Sequence, residues 1–311
     1  SGTDPDQSTF NQSINKNYDD PRAWSFQPGS VPGKTDIIDI YGHLRRDNIL
    51  GENIEWAFLG ASTADADGSN HLDFEYYRKK ISLVNGKIVY DNVGDGEDCG
   101  HTTYHFDADG SVLGDNHGDI LLSVDYADGG RTAEVTLLVW IDRDDFPGAL
   151  TDFNNDGTHP ARPFDFTGDF TACTNSVEGG ETNFGYAEIA LRQNSPQAIF
   201  TQLNNTGSTS APSWGTIDTG NTQPIDYYPK DTFVEFAINA SALGFDTQSS
   251  AGNCESTLGS VLVKSRSSAS WSSALKDLGG PFNLGDQPAL RVTIIGDDVC
   301  LGDPAVTFDA G

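Results

Sequence analysis

Thr132-Ala133-Glu134-Val135-Thr136-Leu137-Leu138-Val139-Trp140-Ile141 decides the fold class. Val135, Leu137, Val139 and Ile141 share one face of an extended chain, the period-two pattern of a half-buried strand. Just before it, Asp119-Ile120-Leu121-Leu122-Ser123-Val124 reads as a second strand, and Asp128-Gly129-Gly130 between the two is a hairpin signal. Working outward, strand-like alternation begins at Asp36 and recurs at residues 54–59, 72–76, 184–191, 232–238, 258–264 and 289–295. Residues 142–183 read as a long irregular excursion, and residues 204–223 as a Gly/Ser/Thr/Asn tract. One short helix is expected at residues 270–278, where Trp271, Ala274, Leu275 and Leu278 fall at helical spacing. Many short strands and little helix predict an all-β chain, a β-sandwich or jelly roll with long Asp/Gly-rich loops and at most one or two short helices. Residues 1–35 are polar, hold Pro21, Pro28 and Pro32, and read as an extended N-terminal arm. Residues 36–311 read as a single large β-sandwich domain.

Composition narrows the function classes. Asp and Glu number 46 against 18 Lys and Arg, a formal net charge of -28 on 311 residues. Nucleic acid is a poor partner for such a chain, because phosphate binding needs a basic surface. An anionic membrane face is disfavoured for the same reason, and no apolar run approaches the roughly 20 residues of a membrane helix, so no membrane insertion is expected. The hydrophobic fraction is 36% and Gly numbers 34, which suits a loop-rich β protein. The chain opens Ser1-Gly2-Thr3-Asp4 and has no Met, which reads as a mature product whose leader has been removed.

The acid residues gather in Asp-Gly loops. Asp152-Phe153-Asn154-Asn155-Asp156-Gly157-Thr158 matches the first seven positions of an EF-hand loop. Its twelfth position is Pro163 rather than Glu and no flanking helix is expected, so a β-loop site is the reading, with Asp152, Asn154, Asp156 and Thr158 as ligands. Asp65, Asp67, Asn70 and Asp73 form a second candidate set, and Asp107 and Asp109 a third. Carboxylates two residues apart, followed by a turn-forming Gly, bring hard oxygens together, and calcium takes six to eight of them. Bound calcium would also offset self-repulsion. A solvated Asp-Gly turn is the plain alternative. His101 and His105 read as surface histidines, too far apart along a strand to share one metal.

Cys99, Cys173, Cys254 and Cys300 contain no C-x-x-C pair, so two disulfides in an oxidising compartment are expected. Three pairings are open. Chain proximity favours Cys99–Cys173 with Cys254–Cys300.

His117-Gly118-Asp119-Ile120-Leu121-Leu122, then Asp128-Gly129-Gly130, then Val139-Trp140, resembles a module of large secreted bacterial surface and matrix proteins. Phe233-Val234-Glu235-Phe236-Ala237-Ile238-Asn239 with Ala242-Leu243 fits the same pattern. So do Lys264-Ser265-Arg266-Ser267-Ser268-Ala269-Ser270 leading into Ala274-Leu275-Lys276-Asp277, and Val31-Pro32-Gly33-Lys34-Thr35-Asp36-Ile37. The resemblance implies an extracellular β domain at the bacterial cell surface, and it carries no assigned catalytic residues.

Together these readings predict a secreted, non-enzymatic, calcium-stabilised structural or adhesive protein. Its N-terminal arm, with Phe10, Ile14, Tyr18, Trp24 and Phe26, docks either on its own sandwich or on the next subunit of a homopolymer. The alternative is a carbohydrate-binding module recognising a surface glycan, with Trp214, Tyr227 and Tyr228 as stacking candidates. A glycan-active enzyme ranks third, because it needs a carboxyl pair that no motif singles out.

Overall fold

A computed structural model describes residues 9–11, 14–49, 52–92, 94–112, 116–127, 132–192, 199–218, 223–243, 258–284, 292–294 and 297–299. In chain order the strands begin with β1 (Ile37–Ile49), β2 (Glu52–Thr63), β3 (Asn70–Tyr77), β4 (Ile81–Val84), β5 (Lys87–Tyr90), β6 (Ile120–Ala127) and β7 (Thr132–Asp142). Helix α1 (Leu150–Asn155) follows, then β8 (Phe164–Ala172), β9 (Phe184–Leu191), β10 (Ile199–Leu203), β11 (Thr209–Ser210), β12 (Thr216–Asp218) and β13 (Gln223–Ile225). The order ends with β14 (Tyr227–Tyr228), β15 (Phe233–Asn239), β16 (Ser260–Arg266), β17 (Leu275–Asn283), β18 (Val292–Ile294) and β19 (Asp297–Val299). The chain is all-β, with one short α-helix among the described residues.

Two antiparallel sheets make a sandwich: four strands in the order β1-β2-β15-β10, and seven in the order β17-β16-β3-β6-β7-β9-β8. Alternation sets the inner faces. Ala57, Leu59, Ala61, Val234, Phe236 and Ile238 of the smaller sheet pack on Leu72, Phe74, Leu122, Val124, Val139 and Ile141 of the larger. Phe74 and Phe236 meet edge to face across the interface, their centroids 4.5 Å apart. The expected pairing of β6 with β7 is present from Ile120↔Val139 to Ala127↔Thr132. The turn residues Asp128-Gly129-Gly130 lie outside the described residues.

The second face of the larger sheet is covered as well. Leu121, Leu138, Trp140 and Tyr186 pack with Cys99 and Cys173, while Tyr77, Leu262, Leu275 and Leu278 pack with Phe10 and Trp24. The described residues of the N-terminal segment lie over that face like a strap. The Phe10 N–H donates to the Lys276 carbonyl at 2.9 Å, the Leu275 N–H donates to the Asn15 carbonyl at 3.1 Å, and Phe10 bridges Phe26. Of the two dockings expected for this arm, its described residues make the one on their own sandwich. Ile14 alone among the named apolar residues stays 61% exposed.

Two local expectations are corrected. Residues 142–183 are not an irregular excursion, since they hold α1 and all of β8. Phe164 and Phe166 alternate into the core, but the period breaks at a bulge around Gly168, whose φ of +109° suits glycine. Residues 270–278 are not a helix: turns lead into β17, which pairs with β16. The Arg266 guanidinium donates to the carbonyls of Ser268, Ala269 and Ser270, holding that connection in a turn. Tertiary pairing overrides the local helical spacing.

Candidate functional site

The acidic loops close mainly on themselves. Asp65 Oδ1 accepts the Asp67 N–H at 3.1 Å, Asp109 Oδ1 accepts the Ser111 N–H at 3.0 Å, and Asp156 Oδ1 accepts the Thr158 N–H at 2.9 Å. Each is the Asx turn that an Asp makes with the amide two residues on. The Ser111 hydroxyl donates to Asp109 at 2.6 Å and lies 3.4 Å from Asp107. Those hydrogen bonds hold the Asp109 carboxyl below its ordinary range. Asp152 accepts the Ala149 N–H at the start of α1, and Asn154 bonds the backbone of Phe166. A helix therefore occupies the loop where none was expected, because Asp152 caps it and Leu150 anchors it in the core.

The second set is split by strand parity. Asn70 bonds Thr63 Oγ1 at 3.0 Å on the inner face of β3, whereas Asp73 points to the opposite face, 2.6 Å from the Arg266 guanidinium. One cation cannot reach both sides of the sheet. Among the described residues, no three His, Cys, Asp or Glu side chains gather closely enough to hold a metal ion. As folded, the Asp152 loop does not fit calcium, since its oxygens point to separate partners.

The aromatic and cysteine candidates divide. Cys99 and Cys173 are disulfide-bonded, with Cα atoms 6.6 Å apart. Cys254 and Cys300 lie outside the described residues. Trp214 is 74% exposed and Tyr227 45%, but Tyr228 is buried, its hydroxyl donating to Asp39 at 2.9 Å and bonding Tyr41. His101 is not a surface residue. It is fully buried, stacked on Trp140 with centroids 3.8 Å apart, while His105 is exposed as expected. The intervening segment is not a strand but a loop folded against the sheet, which removes the parity on which the histidine reading rested.

A groove of about 1160 Å³ runs over the outer face of the smaller sheet. Register builds it in rows. Tyr41, Gly60, Glu235 and Gln202 lie side by side across the strands. One row along, His43, Phe58, Ala237 and Phe200 are aligned in the same way. On the other flank stands Phe233, opposite Ser62 and stacked on Tyr228 at 4.7 Å. Rows on one face are about 7 Å apart, so the polar row lies between two aromatic flanks spaced about 14 Å. Gly60 is needed there: the Phe233 ring comes within 3.1 Å of where a Cβ would stand. Trp56 extends one flank, 5.7 Å from Phe200, and the segment from Thr206 to Pro212 forms a wall. Glu235 is the one carboxylate among the described lining residues. The signal for this groove was present in residues 54–59, where Trp56 and Phe58 make the supposed solvent face of a half-buried strand apolar.

On the strap-covered face of the larger sheet lies a buried polar stripe. Lys264 pairs with Glu75 at 2.6 Å, both fully buried, and Arg266 pairs with Asp73 and Asp125. Asp119 accepts from the amides of Arg78 and Thr102 and stands 3.1 Å from His101 Nδ1. Burial pushes Asp119 up to about 7 and His101 down to about 4. Sequence pattern placed Asp73 and Glu75 on a strand but could not foresee that the face they occupy would be covered. No helix among the described residues is long and apolar enough to cross a membrane. No family model matches this chain, and neither a curated protein nor a solved structure is significantly similar to it.

Proposed function

We propose that this protein is an extracellular glycan-binding domain whose site is the groove on the four-stranded sheet. One observation carries the reading: two polar side chains, Glu235 and Gln202, set between flanks of partly exposed aromatic rings. Sugar rings present C–H faces that stack on aromatics, and hydroxyl edges that pair with carboxylate and amide groups. The spacing of the flanks leaves room for a ring over Glu235 and Gln202, beside the Phe233 ring that overlies Gly60. Net charge and Glu235 favour a neutral glycan over an acidic one. A single carboxylate among the described lining residues supports binding rather than hydrolysis, for which two carboxyls about 5–10 Å apart are needed. The Cys99–Cys173 disulfide supports an oxidising, extracellular setting.

A panel of neutral and acidic polysaccharides, followed by titration with Trp fluorescence and amide NMR, tests this. The expected result is saturable binding of a neutral glycan, with shifts confined to Phe58, Phe200, Gln202 and Glu235. Absence of binding across the panel by a folded, disulfide-bonded sample overturns the reading.

A further inference from the structure

We propose that the Glu75 carboxyl and the Lys264 amine condense to an intramolecular amide, an isopeptide bond that staples β3 to β16. The two residues are diagonal neighbours on paired strands: Leu262 stands opposite Glu75, and Lys264 opposite Asp73, on the same face. Lys264 Nζ lies 2.6 Å from Glu75 Oε2, and both side chains are wholly excluded from solvent. The register thus delivers a nucleophile to an acyl group and keeps it there. Such fixation acts like an effective concentration of about 10⁵–10⁸ M, against which the reverse reaction with water has little access.

The surroundings supply what the step requires. The Trp24 ring covers Nζ, its centroid 4.7 Å away, so the amine sits under an apolar lid. The Tyr186 hydroxyl donates to Oε1, where negative charge develops when the carboxyl carbon becomes tetrahedral. His101 Nδ1 stands 3.9 Å from the same oxygen and is held by Asp119. In the proposed step one ammonium proton passes to the carboxylate, which is within hydrogen-bond reach. The nitrogen lone pair then attacks Cδ, the N–Cδ bond forms, and the Cδ–Oε2 bond breaks. Oε2 leaves as water with two of the three original ammonium protons, the third staying on the amide. No oxidant or cofactor enters the balance.

The neighbouring pair shows why the reaction is confined to Lys264. Arg266 spends its donors on Asp73, Asp125, Ser123 and the carbonyls that follow it, and a guanidinium stays charged and non-nucleophilic.

Intact mass spectrometry of the reduced and alkylated full chain tests the proposal, followed by peptide mapping. The expected mass is below the sequence mass by one water, with nearly every molecule modified. Fragmentation should give a branched peptide joining the segments that contain Glu75 and Lys264. Asp-Gly sequences such as Asp67-Gly68 can also lose water as succinimides, but these reopen in mild alkali and give no branched peptide. Lys264→Met should restore the full mass. If that variant does not fold, the wild-type peptide map still decides. The full sequence mass in the folded wild-type chain, or a deficit mapped only to Asp-Gly sites, overturns the proposal.

Discussion

Asn154 grips Phe166 by both halves of its amide: Nδ2 donates to the Phe166 carbonyl at 2.7 Å, and Oδ1 accepts the Phe166 N–H at 2.9 Å. Because β8 is the last strand of its sheet, Phe166 presents these backbone groups on an open edge, and Asn154 stands in for a neighbouring strand. The side chain that loop spacing nominates as a calcium ligand is already committed to the fold.

Replacing it should therefore act on stability without any metal. Asn154→Ala leaves two backbone groups of Phe166 unpaired and should destabilise by about 2 kcal/mol, read from urea unfolding. Asp156→Ala removes an exposed turn contact to Thr158 and a surface pairing with His159, and should cost less. Millimolar calcium and EDTA should give superimposable melts. A calcium-induced rise in Tm that Asp156→Ala abolishes would show a cation at this loop.

The sequence made some of this legible and hid the rest for definite reasons. Val135, Leu137, Val139 and Ile141 announced β7 because strand parity needs only local spacing. Parity also assigned Asp73 and Glu75 to the face opposite Phe74, and there it stopped. Whether that face meets water depends on residues 9–11 and 14–27 folding back over it, a contact across more than fifty residues of chain. The Asp-Gly loops were ambiguous because Asx turns and calcium loops start from the same spacing, and only the direction of each oxygen separates them. The groove needed the register of β1, β2, β15 and β10 together, which no single stretch contains.

The strap should be an integral part of the fold. Trp24 is wholly buried against Lys264 and packs with Phe10, Tyr77, Leu262, Leu275 and Leu278. Trp24→Ala should destabilise by about 3–5 kcal/mol and speed amide exchange in residues 9–27. If this arm instead docked on a neighbouring molecule, the wild type would itself lose stability on dilution and the difference from Trp24→Ala would shrink, while light scattering would report the association.

Cys99–Cys173 closes a loop with a sequence separation of 74 residues on the strap side of the sheet. In the chain-entropy account, such a closure stabilises by about 4 kcal/mol. A Cys99→Ala/Cys173→Ala double variant should lose an amount of that order in urea unfolding. An unchanged midpoint would mean that the reduced chain keeps these residues together by packing alone.

Asp119 and His101 should hide each other's pH dependence. Asp119 rises in the folded chain from its ordinary 3.8 to about 7, so its contribution is present below about pH 4 and is lost as pH rises through 7. His101 falls from 6.5 to about 4, so its contribution is present above 6.5 and is lost as pH falls through 4. The windows overlap and the signs oppose, so the pair takes up protons at nearly the same pH folded or unfolded. Single variants should expose each half. Asp119→Asn should lose stability as pH drops from 6.5 to 4, and His101→Phe should lose it as pH climbs from 4 to 7. Parallel pH profiles for the wild type and both variants would contradict the coupling.

The groove makes the last prediction, because its two kinds of group should fail differently. Phe200 is 47% exposed on the aromatic flank, and its removal takes away a stacking surface but no hydrogen bond. Gln202, in the polar row, supplies hydrogen bonds without stacking. Each should weaken binding of a neutral glycan about tenfold, since either kind of contact is worth roughly 1 kcal/mol or a little more. The distinction lies in what compensates. Analogues lacking a single hydroxyl should bind Gln202→Ala as well as the parent sugar does, whereas Phe200→Ala should still discriminate between them. Glu235→Gln keeps an acceptor but removes the charge, so acidic glycans should bind this variant better than they bind the wild type. Trp214 lies beyond the wall residue Pro212 and does not line the groove, so Trp214→Ala should leave the affinity unchanged. If Trp214→Ala abolishes binding while Phe200→Ala and Gln202→Ala do not, the sugar is held by the loop and not by the sheet.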